Sequence, residues 1–194
     1  RRRRHARHFL AADGDARLGG EPCSDRAREH LAVDRQGGAG WDGGYRVPFI
    51  ARHPGRIPAG LVNDSMAMNI DLLPTLAKWT GGAVPGAQLD GADITNLLTI
   101  RSAPSPHDEL IFFINDEVAA VRTARYKLVV RSFYRSSLAT LDTRDDWQVL
   151  VDLQNDPAES YDVSSLHPDA LADLTARLTR ARTEFGPLKA PAAS

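Results

Sequence analysis

Apolar positions along this chain change their spacing several times, and each spacing predicts a different element. Residues 69–81 carry leucines at helical spacing behind Asp71, a suitable N-cap, and a glycine pair follows, so a packing helix is expected there. Residues 168–185 repeat apolar side chains every three or four positions behind Pro168, which predicts a longer helix with a core-facing seam. A further short helix is expected at residues 93–98.

Short β-favouring runs are found before and between these helices. One apolar run, Tyr45 to Ala51, follows a glycine-rich approach and is predicted as a strand, with a proline-punctuated surface turn behind it. Hairpin connections are expected at Asn115-Asp116 and Ala124-Arg125. The later runs, which together predict a small antiparallel sheet, are residues 109–114, 118–123, 126–131 and 148–153.

The chain changes character near Gln36. Residues 1–35 are rich in arginine among small residues and show neither strand nor helix periodicity. We expect this segment to be a truncated, divergent or mis-framed N-terminus. A nucleic-acid-binding arm is the alternative for the arginine run, but no aromatic platform accompanies it and acidic residues offset its charge, so a solvated tail and no nucleic-acid partner are predicted.

Composition bounds the possible classes of protein. The 194 residues are 42% hydrophobic with a formal net charge of -1, which suits one domain-sized core. No apolar run approaches the roughly 18 residues of a membrane span, so no membrane partner is expected. The single cysteine, Cys23, excludes an internal disulfide and a Cys-rich zinc site. No P-loop, G-x-S-x-G elbow or H-E-x-x-H motif is present.

Four segments together resemble the sulfatase family of the alkaline-phosphatase-like superfamily. Each one is weakly specific alone, but their order and spacing match across residues 37–185. They are WDGGYRVPFIARHPGRIPAG at residues 41–60, NIDLLPTLAKWTG at 69–81, AVRTARYKLVV at 120–130 and LVDLQNDPAESYDVS at 150–164.

The resemblance implies an α/β fold: the C-terminal part of an alkaline-phosphatase-like sandwich plus a small antiparallel sheet closed by a C-terminal helix. Residues 1–35 would be a divergent or non-native Arg-rich segment. Residues 36–105 would end the sulfatase α/β core, 106–185 would form the antiparallel subdomain with its final helix, and 186–194 would be a tail. Strands left unpaired in such a portion predict poor autonomous stability and association.

The resemblance also implies chemistry, namely hydrolysis of a sulfate ester on a small molecule or glycan at a Ca²⁺ site built from oxygen ligands. The family nucleophile, within C/S-x-P-x-R, is absent here, and Cys23 has its arginine three positions on rather than four. Gly37 occupies the position where the family commonly has a sulfate-gripping lysine, so that cation is absent unless a one-residue shift or Arg35 replaces it. Asp13 is a faint echo of a metal-ligand turn. No catalytic or metal-binding residue is therefore predicted in this chain, and no metal is expected on it alone.

Asp42 and Arg46 are the two candidates for the edge of a substrate pocket, with a structural salt bridge that pins the glycine turn as the alternative. The first hypothesis for function is the C-terminal portion of a sulfuric ester hydrolase, inactive alone. A non-catalytic binding module derived from a sulfatase is a second hypothesis. A phosphoesterase of the same superfamily is a third.

Overall fold

The computed structural model describes residues 40–83, 89–114, 117–130 and 148–186, together with the backbone of residues 21–22. None of the helices in these parts of the chain is long and apolar enough to cross a membrane. In chain order the elements are β1 (Glu21–Pro22), α1 (Asp42–Tyr45), a 3₁₀ turn (Asn69–Asp71), α2 (Leu72–Thr80), α3 (Thr95–Thr99), β2 (Leu110–Ile114), β3 (Glu117–Arg122), β4 (Tyr126–Val129), β5 (Val149–Asp152), β6 (Tyr161–Asp162) and α4 (Pro168–Glu184).

The larger sheet is an antiparallel meander in the order β2-β3-β4-β5. Its register places Ala120 opposite Val129 and Leu128 opposite Leu150. A bulge interrupts the β2–β3 pairing between Phe112 and Phe113. The short strands β1 and β6 pair antiparallel in a separate two-stranded ribbon. The small antiparallel sheet predicted from the β-favouring runs is confirmed.

Both faces of the meander are covered, because successive side chains on a strand point to opposite sides. One face carries an apolar cluster that includes Trp41, Phe112 and Val129. The other face packs against α4, whose side chains Leu174 and Leu178 insert over the sheet. The predicted C-terminal helix and its core-facing seam are therefore confirmed, although Phe185 at the end of the seam is partly exposed.

The helix α2 ends as predicted, with Gly81 in the left-handed conformation at φ 69°. Its packing is different from the prediction. Thr75 is buried and Leu72 packs against the small cluster around α3, whereas Leu73 and Leu76 are about half exposed. The apolar side chains of α2 thus divide between a buried face and an exposed face.

The prediction of a strand from Tyr45 to Ala51 is wrong. Tyr45 closes the one-turn helix α1, and the segment that follows is extended but belongs to no ladder in the described parts of the chain. Apolar runs become strands only when a neighbouring strand accepts their backbone groups, and sequence alone does not show whether one is present. The predicted turn behind this run is confirmed, with Gly55 and Gly60 at positive φ. The connection predicted at Asn115-Asp116 lies outside the described residues.

Candidate functional site

A wholly buried lysine lies at the centre of the described structure. The side chain of Lys127 on β4 has 0% exposure. Its Nζ donates hydrogen bonds of 2.8 Å to Asp42 Oδ1 and of 2.8 Å to Glu159 Oε1. The ammonium also lies 4.6 Å from the ring centroid of Phe112, in a cation–π contact. A buried ammonium is tolerated only when it is paired, so these carboxylates are what allow a lysine at this position.

A second cation completes this ion network. Arg122 Nη1 donates to Asp42 Oδ2 over 2.5 Å, so Asp42 uses both carboxylate oxygens. The backbone N–H of Asp42 donates in turn to Glu159 Oε2 over 2.7 Å. Two cations and two carboxylates therefore balance within one cluster, which we call the ion network (Asp42, Arg122, Lys127 and Glu159).

Each member of the ion network is positioned by its local backbone. Arg122 and Lys127 are register partners across β3 and β4, so the sheet brings the two cations side by side. Asp42 begins the short helix α1. Glu159 lies at φ 56°, an uncommon conformation for a residue with a side chain. The turn that holds it is closed by the carboxylate of Asp156, which accepts the N–H groups of Ser160 and Tyr161.

Burial raises the pKa of Glu159 above the ordinary glutamate value. Lys127 acts in the opposite direction, because its positive charge favours the ionised carboxylate, while the nearby charge of Asp42 adds to the increase. Burial also raises the pKa of Asp156, against the backbone N–H groups that it accepts. The higher pKa makes Glu159 and Asp156 more easily protonated than exposed carboxylates.

A second polar cluster joins the start of α2 to the connection that precedes the sheet. The carboxylate of Asp71, which is wholly buried, accepts the backbone N–H groups of Met68 at 2.6 Å and Ala92 at 2.9 Å. His107 Nε2 lies 2.8 Å from Asp71 Oδ1. The side chain predicted to cap α2 therefore closes the preceding 3₁₀ turn instead and binds two distant segments.

The chemistry available to these clusters is that of structural ion pairing. The carboxylates of Asp42 and Asp71 each already accept at least two donors. Within the parts of the chain that the structure describes, no three His, Cys, Asp or Glu side chains converge as metal ligands would. The described residues do not fit a calcium site.

The two candidate pocket-edge residues separate in the structure. Asp42 is buried in the ion network, where its carboxylate pairs with Lys127 and Arg122. Arg46 is exposed. Gly37, Asp13 and Cys23 lie outside the described residues, so their predicted roles have no structural description.

Sequence reasoning missed Lys127, Arg122 and Glu159. A signal for Lys127 was present, since a single lysine lies within the otherwise apolar strand run YKLVV. Charged residues are almost never fully buried unless they are paired, so this lysine pointed to carboxylate partners elsewhere in the fold.

Comparisons with known proteins identify the relatives of this chain. Residues 39–184 match the family model for N-sulphoglucosamine sulphohydrolase, C-terminal. Arylsulfatase A of Homo sapiens is 33% identical over 167 residues, an alignment that covers 72% of this chain and 32% of that protein. The chain thus spans about a third of the length of this relative.

Solved structures show the same fold. The PsFucS1 sulfatase from Pseudoalteromonas sp. superposes with a TM-score of 0.60 at 21% identity, over 78% of this chain and 33% of that one. The protein BT4656, solved with its substrate D-glucosamine-2-N,6-O-disulfate, superposes with a TM-score of 0.50 at 20% identity, over 69% and 27% of the two chains. The architecture is therefore that of the C-terminal part of these proteins' α/β fold, and the predicted fold class is confirmed.

Proposed function

Because this chain belongs to the sulfatase family, we propose that it is the C-terminal portion of a sulfuric ester hydrolase and does not turn over sulfate esters by itself. In this proposal the chain contributes the small antiparallel sheet and the segment that leads into it. The complete enzyme would carry the nucleophile and the metal ligands on other sequence.

The ion network is the observation that supports this proposal most directly. Its four members come from three of the segments that resemble the family: Asp42 from WDGG, Arg122 and Lys127 from AVRTARYKLVV, and Glu159 from LVDLQNDPAES. Segments far apart in sequence meet in one buried cluster, so they belong to a single folded unit.

Inactivity of the chain alone follows from its residue inventory. The 194-residue sequence contains no C/S-x-P-x-R, and glycine stands at position 37 where the family has lysine. A preorganised cationic donor of that kind contributes about 3 to 4 kcal/mol of transition-state stabilisation. Loss of both the nucleophile and this donor leaves no route for attack on sulfur.

Calcium, which the family resemblance implies, is not assigned to this chain. Oxygen ligands suit Ca²⁺, but the buried aspartates described here are already paired with protein donors. We propose that the complete enzyme binds Ca²⁺ through residues outside the described parts of this chain.

The proposed substrate of the complete enzyme is a sulfate ester on a small molecule or a glycan. Arylsulfatase A, by its name, and BT4656, by its bound D-glucosamine-2-N,6-O-disulfate, represent these two kinds of substrate among the relatives.

A turnover assay tests the inactivity of the chain alone. We expect no release of 4-nitrophenol from 4-nitrophenyl sulfate by the purified 194-residue chain, with or without added Ca²⁺. Release that a calcium chelator abolishes would contradict the proposal, and a Cys23→Ala variant would then show whether that thiol takes part. Parallel assays with 4-nitrophenyl phosphate test the phosphoesterase alternative.

The genomic DNA upstream of codon 1 and through codons 1–40, read in all three frames, tests the enzyme assignment. An in-frame C/S-x-P-x-R motif and a D-N-G turn are expected. If both are missing from that DNA, a non-catalytic binding module derived from a sulfatase is the better description.

A further inference from the structure

A surface turn of this chain carries positive charge that no described carboxylate neutralises. The turn spans residues 52–57, which we call the basic turn, and it is closed by the backbone N–H groups of Arg56 and Ile57, which both donate to the carbonyl of His53. Arg52 and Arg56 lie toward its two ends, and both are exposed. Neither forms an ion pair within the parts of the chain that the structure describes. Two unneutralised guanidinium groups are therefore available to a ligand.

The sequence around the basic turn contains no acidic residue that could offset this charge. Residues 43–63 hold three arginines and one histidine but no Asp or Glu, although the whole chain has a formal net charge of -1. Fixed charges of one sign on a stretch of surface attract ligands of the opposite sign. The ligand that suits the basic turn is therefore an anion.

A tryptophan of α2 holds the guanidinium of Arg56 in place. Arg56 Cζ lies 4.8 Å from the centroid of the Trp79 ring, and Arg56 Nη1 donates a hydrogen bond of 3.4 Å to the Trp79 carbonyl. The ring is fixed in turn, because its Nε1 donates to Thr95 Oγ1 over 2.8 Å and the ring of His53 packs at a right angle to it, with the centroids 5.6 Å apart. A preorganised cation loses less conformational entropy on binding than a mobile one.

The geometry of a stacked guanidinium favours an oxyanion as the ligand. Only one N–H group of Arg56 has a partner among the described residues, so most of its donors remain free. Stacking on an aromatic face leaves the in-plane N–H fork open to two oxygens of one anionic group. A single exposed arginine binds such a group weakly, so a polymer that carries several of them gains from Arg52 as well.

We propose that the basic turn and Trp79 bind the sulfate groups of a sulfated glycan. The choice of an oxyanion comes from the two arginines and their surroundings. The choice of a glycan rests on the proposed function, in which the complete enzyme acts on a sulfate ester. A single-stranded nucleic acid also carries oxyanions, but it needs an open aromatic face for its bases, and Arg56 already covers one face of Trp79.

Binding by the 194-residue chain tests the proposal. The probe is a heparin hexasaccharide, and isothermal titration calorimetry gives its Kd. A hyaluronan hexasaccharide, which has carboxylates but no sulfates, should bind more weakly. Arg56→Gln should raise the Kd for heparin about tenfold, because it removes the charge-assisted fork. Arg180→Gln is the matched control, since it removes the same charge from an exposed arginine that Glu109 already neutralises, and it should change the Kd less than about twofold.

Two further variants separate a built site from net charge. Arg56→Lys keeps the positive charge but loses the planar fork stacked on Trp79, so it should raise the Kd about threefold or more. Arg52→Gln, at the other end of the basic turn, should also raise the Kd. Because both arginines are exposed, the thermal midpoints of these variants should equal that of the wild type, which excludes unfolding as the cause of weaker binding.

Several outcomes would overturn the proposal. They are no binding of the heparin hexasaccharide, equal affinity for hyaluronan, equal effects of Arg56→Gln and Arg180→Gln, and wild-type affinity of Arg56→Lys. Tighter binding of an oligodeoxythymidine of equal charge would make the ligand a nucleic acid and would also overturn it. None of these results bears on the proposed function, which the turnover assay and the upstream DNA decide. Absence of C/S-x-P-x-R from that DNA would count against the proposed function and leave a measured sulfate site standing.

Discussion

Lys127 Nζ lies 2.8 Å from Glu159 Oε1 although the two residues are 32 positions apart and neither side chain reaches solvent appreciably. The same ammonium holds Asp42, which lies 85 positions away in the other direction. One buried positive charge thereby ties the segment before the sheet to the turn after it. The stability of the described unit should depend on this charge more than on any ion pair at its surface.

Lys127→Met should be strongly destabilising. It removes the ammonium and leaves Glu159 and Asp42 as buried carboxylates with Arg122 as their remaining cation. Breaking a buried pair in this way typically costs about 3 to 5 kcal/mol. Urea unfolding followed by circular dichroism measures the loss. Lys78→Met, which removes a surface pair with Asp93, is the control and should cost at most about 1 kcal/mol. Equal losses in the two variants would show that the buried charge has no special role.

The pH dependence of stability should reveal the raised pKa of Glu159. Burial raises its pKa in the folded state, despite the opposing charge of Lys127, so the folded chain takes up a proton at higher pH than the unfolded chain. Its contribution to stability is fully present below the unfolded pKa and is lost as pH rises through the folded pKa. We expect the free energy of unfolding of the wild type, relative to Glu159→Gln, to increase as pH falls from about 7 toward about 4.5.

Asp152 provides the control of opposite sign for that measurement. Burial would raise its pKa, but hydrogen bonds from Arg125 and Asn155 outweigh burial and hold the pKa below the ordinary value. Its contribution is present above the unfolded pKa and is lost as pH falls through the folded pKa. The wild type relative to Asp152→Asn should therefore lose stability on acidification. If both differences had the same sign, the assignment of the two shifts would be wrong.

Asp71→Ala should destabilise the packing of the start of α2 against the segments that Asp71 contacts. The change removes the acceptor of the Met68 and Ala92 amides and the partner of His107. Each buried donor left without an acceptor costs about 1 to 3 kcal/mol. Hydrogen exchange should show lost protection at Met68 and Ala92 specifically. Asp64→Ala, at an exposed aspartate nearby, should leave both amides protected.

Gly91→Ala should be disruptive for a steric reason. A Cβ at this position would lie 2.3 Å from the carbonyl oxygen of Ile70, and backbone cannot move aside as a side chain can. Overpacking of this kind typically costs about 1 to 3 kcal/mol. At Gly82 the nearest atom to an added Cβ is 3.4 Å away, so Gly82→Ala should have little effect on the melting temperature. A melting temperature equal to that of the wild type for Gly91→Ala would contradict the close approach of Gly91 to the backbone of Ile70.

The periodicity of apolar residues along the sequence predicted the helices and strands whose formation depends on nearby residues. The seam of α4 follows from Leu174 and Leu178 at helical spacing, and the strand runs contain their own β propensity. The ion network could not be predicted in the same way, because Lys127 finds Asp42 only after the sheet has formed. Asp71 shows the same limit: its position predicted a cap, but His107, 36 residues away, decides what its carboxylate binds. The strand predicted from Tyr45 onward does not form in the described structure, because a strand requires a neighbouring strand to accept its backbone hydrogen bonds.

The buried charges bear on the register in which β3 pairs with β4. A slip of one residue would turn Lys127 toward the face covered by α4 and present Leu128 to the carboxylates of Asp42 and Glu159. Both changes are unfavourable, so the misaligned sheet is penalised on its two faces at once. The buried charges therefore specify the strand register of this small domain and disfavour misalignments that hydrophobic contacts alone would tolerate.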